Sequence, residues 1–180
     1  MVSVGDFAKT VDETTESVRW RIATHAEPWA TSPQAKEGGH RRFSAVHAIG
    51  WTAARLIVSQ GATFEQAAEA VRLTEAAERY LANSRKHLAV DLWLGLYRIA
   101  YRDADGTHVD VRHEIGTASR LAEIAAREAQ AFARPRENEI GMGCEGVVFV
   151  NLVSAFRRAR ETAVAAGFEL SGADLRKATQ

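Results

Sequence analysis

The chain is poor in cysteine and proline and carries no net charge, and each shortage narrows what it can be. A single cysteine, Cys144, makes neither an internal disulfide nor a thiolate metal cluster. With three prolines in 180 residues there is no low-complexity tract, and no internal repeat occurs. No apolar run approaches the roughly 20 residues that a membrane-spanning helix needs. The opening Met1-Val2-Ser3-Val4-Gly5-Asp6 lacks the basic and apolar regions of a secretory signal. No His-Glu-x-x-His, paired-carboxylate or thiolate-ligand pattern is present. The expectation is a cytoplasmic protein off the membrane that is not an enzyme and holds no cofactor or metal. A formal net charge of zero also speaks against a protein that coats nucleic acid indiscriminately.

What the chain does have is a globular balance, 46% hydrophobic and 26% charged, with enough length to bury a real core. Its charge is unevenly spread. Between residues 19 and 55, six cationic side chains (Arg19, Arg21, Lys36, Arg41, Arg42, Arg55) face two anionic ones (Glu27, Glu37). Acidic Asp6, Asp12, Glu13 and Glu16 precede that window, where they suit helix N-termini and turns. A local excess of four positive charges matches a small phosphate-binding footprint.

Local signals divide the first half into helices. Ser3 with Asp6 three residues on predicts a short helix reaching about Thr10, and Asp12-Glu13-Thr14 reads as a turn. Thr14 or Thr15 then caps a second helix to about Ala23, with Val18 and Ile22 inward and Arg19 and Arg21 outward. Pro28 to Gly39 reads as loop and hairpin. Ser44 caps a third helix that Gly61 stops, and Thr63-Phe64-Glu65-Gln66 opens a fourth running to about Leu81. Asn83-Ser84 marks a break.

Beyond it the pattern changes. The run from Leu92 to Tyr101 and the alternating Thr107–Ile115 flank the turn signal Asp103-Ala104-Asp105-Gly106, which predicts a β-hairpin. A helix follows from about Thr117 to Ala133, with Leu121, Ile124, Ala125 and Phe132 as its inner stripe. Val147–Val150 reads as a short buried strand or the first turn of a buried helix. Asn151 caps a last helix ending at Gly167.

Several motifs carry competing readings. Gly141-Met142-Gly143-Cys144-Glu145-Gly146 spells the dinucleotide-binding pattern, but a strand-like run follows the glycines instead of preceding them, so a glycine-rich turn is the favoured reading. Nothing sets Cys144 within reach of His108 or His113 as a nucleophile–base pair. Trp93, Tyr97, Tyr101 and Phe132 line either a ligand pocket or a core. Arg157, Arg158 and Arg160 form a basic cluster whose default is a solvated face, with a second DNA or partner contact as the alternative.

Three blocks stand in register: Val4-Gly5-Asp6-Phe7-Ala8-Lys9, then Val18-Arg19-Trp20, then Gly39-His40-Arg41-Arg42-Phe43-Ser44. Over residues 2–73 the chain resembles the winged helix-turn-helix head of MerR-type transcription regulators. Gly61-Ala62-Thr63-Phe64-Glu65-Gln66-Ala67 is similar to the start of that family's fourth helix. The departures are local: His40 replaces an aromatic on the wing, Trp20-Arg21 replaces two aromatics and an acid, and Asp12-Glu13 stands where the family has Gly-Val. The resemblance implies that the wing arginines Arg41 and Arg42 grip phosphate and that Thr15, Ser17 and Arg21 lie near the face entering a major groove, where arginine reads guanine. Arg19, Trp20 and His40 complete the candidate DNA contacts. For Arg19 the competing reading is an ion pair with Asp6 or Glu16, for Trp20 a place in the core, and for His40 a solvated wing residue.

The fold expected is mainly α with a small β component: a MerR-like winged helix-turn-helix head over residues 1–83 and a small α+β C-terminal domain over 84–180. The function expected is sequence-specific binding of double-stranded DNA as a transcriptional regulator, repression favoured over activation. The alternative is an architectural factor of recombination or packaging, of excisionase or small-terminase type. Because Asn83-Ser84 interrupts the long helix through which MerR-type proteins pair, any homodimer is expected through the C-terminal domain.

Overall fold

The structure is a computed structural model that describes residues 1–25, 27–35, 41–84, 91–103, 106–133 and 142–178. It is a mixed α/β fold in which helices predominate and the sheets are small and antiparallel. The local signals of the first half act as read. Ser3 caps α1 (Val4–Thr10) by accepting the Asp6 N–H at 3.2 Å. Thr14 caps α2 (Thr15–Thr24) by accepting from the Ser17 N–H at 3.1 Å. The residues between the two helices turn at Asp12, whose φ of 55° lies in the left-handed region.

After α2 the chain crosses a loop into the two-residue strands β1 (Gln34–Ala35) and β2 (Arg41–Arg42), which pair antiparallel. Beside them Val2 and Phe43 exchange backbone hydrogen bonds of 2.8 and 2.9 Å, so the start of the chain is stitched to the end of this hairpin. Helix α3 (Ala45–Val58) is the central element: ten of its fourteen residues are buried. Around it gather the rings of Phe7, Trp29, Phe43, Trp51 and Phe64. Phe7 stacks on Phe43 with centroids 4.3 Å apart, and Trp29 and Trp51 meet Phe7 edge-on. Offset and edge contacts of this kind add about 1 kcal/mol per pair beyond their burial.

The fourth helix differs from expectation. It breaks at Thr74–Glu75 into α4 (Phe64–Leu73) and α5 (Ala76–Ser84), although neither glycine nor proline marks the spot. Glu75 takes a φ of 51°, and the Thr74 hydroxyl turns back to donate to the Ala70 carbonyl at 2.6 Å. The turn swings Ala76, Ala77, Tyr80 and Leu81 onto the common core.

In the second half, β3 (Trp93–Asp103) and β4 (Gly106–Gly116) form the expected hairpin, and β5 (Met142–Asn151) completes a sheet of order β4-β3-β5. The expected glycine-rich turn is corrected here. Residues 142–146 lie in β5, with Met142 opposite Tyr101 and Cys144 opposite Ile99, and a register shift between Arg98 and Ile99 absorbs an extra residue. Helix α6 (Ala118–Ala133) covers one sheet face, where Leu121 and Ile124 bury Tyr97 and Ile99. The Tyr97 hydroxyl donates to the Leu121 carbonyl at 3.0 Å. Asn151 caps α7 (Leu152–Ala165), as read.

A final hairpin, β6 (Phe168–Ser171) and β7 (Asp174–Lys177), was not anticipated. It buries Phe168, Leu170 and Leu175, and the Met1 ammonium donates to the Leu175 carbonyl at 2.6 Å. Packing crosses the expected boundary at residue 83. Helix α7 lies on α1, α3 and α5, so one apolar cluster runs from Val2 to Leu175. Among the described residues no helix is long and apolar enough to cross a membrane.

Candidate nucleic-acid interface

Helix α2 sits on α1 and buries one residue of its ten, Val18. Its outer face carries Arg19, exposed and without an ion pair among the described residues, and Trp20, which is 58% exposed. The structure therefore keeps Trp20 out of the core, its ring edge-on to His25 at 5.2 Å. It also separates Arg19 from the two acids weighed as its partners. Asp6 instead accepts from Ser3 and lies 3.9 Å from Lys177. Thr15 is half-buried near the start of the helix.

Two other candidates on α2 are committed within the molecule. The Ser17 hydroxyl donates to Glu13 at 2.5 Å. Arg21 does not project outward as expected: its guanidinium lies 4.5 Å from the centroid of the Phe64 ring, and its Nε is 3.9 Å from the Glu13 carboxylate. Glu13 also lies 3.6 Å from Arg55, and Arg55 donates to the Val11 and Asp12 carbonyls at 2.8 and 3.3 Å. One well-covered carboxylate thus gathers two arginines and a serine and fixes the α1–α2 turn against α3. In sequence Glu13 reads as a turn residue or an acid suited to a helix N-terminus; its role as the hub of this cluster depends on Arg55, distant in the chain. The local signal available is the four-residue spacing of Ser17 and Arg21, which sets both on one face of α2.

The hairpin is held from below. Arg41 pairs with Glu27, and the other oxygen of that carboxylate accepts the Trp29 indole N–H at 2.9 Å. Trp29 is buried among the core rings. Ahead of α3, the Glu78 carboxylate accepts the Ala30 and Thr31 N–H groups, both at 3.1 Å. The His47 ring finishes the support. Its Nδ1 accepts the Ser44 N–H at 2.8 Å, which leaves the proton on Nε2 to reach the Thr31 carbonyl at 3.0 Å. Burial holds this imidazole below its ordinary value, outweighing the opposing effects of the Thr31 carbonyl and of Glu78 and Glu27. Arg42 is half-buried and makes no ion pair among the described residues. His40 lies outside the described residues.

Elsewhere, Arg157, Arg158 and Arg160 are exposed on α7. Arg158 borders a cleft of about 160 Å³ shared with Arg55, Asp12 and Thr162, between α3, α7 and the α1–α2 turn. Of the aromatic set on the second half, Tyr97 is core and Trp93 is half-buried with its indole N–H on Asp91 at 2.6 Å. Among the described residues no three His, Cys, Asp or Glu side chains converge as a metal set.

Compared with known proteins, the chain matches no family model, and no curated protein matches it.

Proposed function

We propose that this chain binds double-stranded DNA through α2 and β2 and acts as a sequence-specific regulator of transcription, with repression favoured over activation. One observation carries the reading: α2 leaves a tryptophan more than half exposed beside an arginine with no ion pair among the described residues, on a helix with one fully buried side chain, Val18. A rigid aromatic next to a cation suits contact with a sugar-phosphate backbone. The succession of two helices across a tight turn and then a short hairpin ending in paired arginines supports the likeness to MerR-type heads. So does Asp12, which stands where that family has glycine and adopts the left-handed backbone that glycine takes without strain.

Within this reading the arginines divide. Arg19, Arg41 and Arg42 contact phosphate, Arg41 exchanging Glu27 for it. Arg21 and Ser17 hold the helix in place. Repression is favoured because MerR-type proteins pair through a long helix, which promoter-twisting activation relies on, whereas here the chain breaks at Thr74–Glu75 between α4 and α5. Footprinting the DNA upstream of the protein's own gene tests the proposal. Protection of one bounded site is expected. Absence of protection at any protein concentration overturns it, and repeated sites with marked bending favour an architectural factor instead.

A further inference from the structure

Strand β4 ends the three-stranded sheet, and among the described residues no strand lies beside its outer edge. We propose that this edge is an interface for a second copy of the chain, the two β4 strands pairing antiparallel about a two-fold axis through Val111.

The backbone already faces outward at that point. The Val111 N–H donates to the side chain of its neighbour Asp110 at 2.9 Å. In an antiparallel ladder a residue turns both its N–H and its C=O to the same side. Val111, and with it Val109 and His113, therefore offers hydrogen-bonding groups to the open edge. Three devices that blunt such edges are missing from β4: it holds no proline and no lysine, and its eleven residues pair with β3 without a shift. The opposite edge, β5, is the one that carries the bulge.

Charge selects both partner and register. Continuing the sheet with an identical strand requires an axis perpendicular to it, which sets one residue opposite itself and keeps each face in common. Centred on Val111, Asp110 meets Arg112 of the second copy twice, and His108 meets Glu114 of the second copy twice. Centred on Asp110, two aspartates oppose each other and His108 faces Arg112. Centred on Arg112, two arginines oppose each other and Asp110 faces Glu114. Within one chain Asp110 and Arg112 are already 3.8 Å apart on one face, each about half exposed, so the dimer interleaves them into a four-charge ladder. On the other face Val111 meets itself, and Val109, 48% exposed, is covered by His113 of the second copy.

Sedimentation equilibrium of the full chain without DNA tests this independently of the DNA-binding reading. The wild type is expected to form dimers in a concentration-dependent way. Asp110→Arg or Arg112→Asp alone turns two attractive pairs into two repulsive ones and weakens association by about tenfold or more. The double variant Asp110→Arg/Arg112→Asp restores the pattern and the dimer. Val111→Pro removes an N–H on the open edge, so it leaves the fold intact by circular dichroism and abolishes pairing. A wild type that stays monomeric throughout overturns the proposal. So does a dimer that tolerates the single charge changes or Val111→Pro, or a double variant that fails to associate.

Discussion

Gly50→Ala sets two effects of opposite sign against each other. Gly50 lies inside α3, where alanine is ordinarily better than glycine by about 1 kcal/mol. A methyl group there, however, would stand 2.1 Å from the Pro28 carbonyl oxygen and 3.3 Å from its carbon. Reaching a normal separation of about 3.5 Å means moving the loop by more than about 1 Å. That loop is pinned: Trp29 is buried, Glu78 accepts two of its N–H groups, and His47 holds the Thr31 carbonyl. Overpacking costs about 1–3 kcal/mol, and straining the Glu78 bonds adds about 1 kcal/mol each. The clash outweighs the helix preference, with a net loss of about 2 kcal/mol or more. For a chain of this size that lowers Tm by about 4–8 °C in a thermal melt followed by circular dichroism. The same displacement moves Glu27, which holds Arg41 in the free protein. A variant that melts at or above the wild-type temperature refutes the packing argument.

Protonation of His47 requires its Nδ1 to give up the Ser44 N–H. Because burial lowers its folded value below 6.5, the unfolded chain takes the proton first. This contribution to stability is full above about pH 6.5 and is lost as pH falls through the lower folded value. His47→Phe is expected to lose about 2 kcal/mol at about pH 8 and to show a flatter acid-side decline in denaturant titrations. Arg19→Ala and Arg42→Ala weaken specific and nonspecific DNA alike in anisotropy titrations, whereas Arg21→Ala lowers stability by about 1 kcal/mol through its lost contact with Phe64. A chain ending at Ser84 lacks α7, whose Leu152, Ala155, Ala159 and Ala163 are buried in the shared core. It is expected to melt without a cooperative transition.

The elements that were legible in the sequence are those written by local chemistry. Ser3, Thr14, Thr63 and Asn151 each cap the helix they signal, and Asp103 pairs with Gly106 at the end of the β3–β4 ladder that the Asp-Ala-Asp-Gly signal predicts. The elements that were not legible depend on distant partners. The α4–α5 break lacks any punctuating residue and follows from the pull of Tyr80 and Leu81 into the core. Residues 142–146, rich in glycine, become strand because β3 offers a ladder to pair with. The last hairpin is short, and its meaning comes from burying Leu170 and Leu175 and receiving the Met1 ammonium. At the candidate interface the exposure of Arg19 followed from helical spacing. The capture of Arg21 depends on Phe64, far along the chain, and no local pattern could supply it.

The salt dependence of DNA binding tests the central claim most directly. With Arg21 and Arg55 drawn to Glu13, three arginines remain for phosphate: Arg19, Arg41 and Arg42. Each released counterion contributes about −0.9 to the slope of log K against log salt concentration, so a slope of about −3 is expected in fluorescence anisotropy titrations with duplex DNA. A slope near zero, or no binding at low salt, would contradict the account.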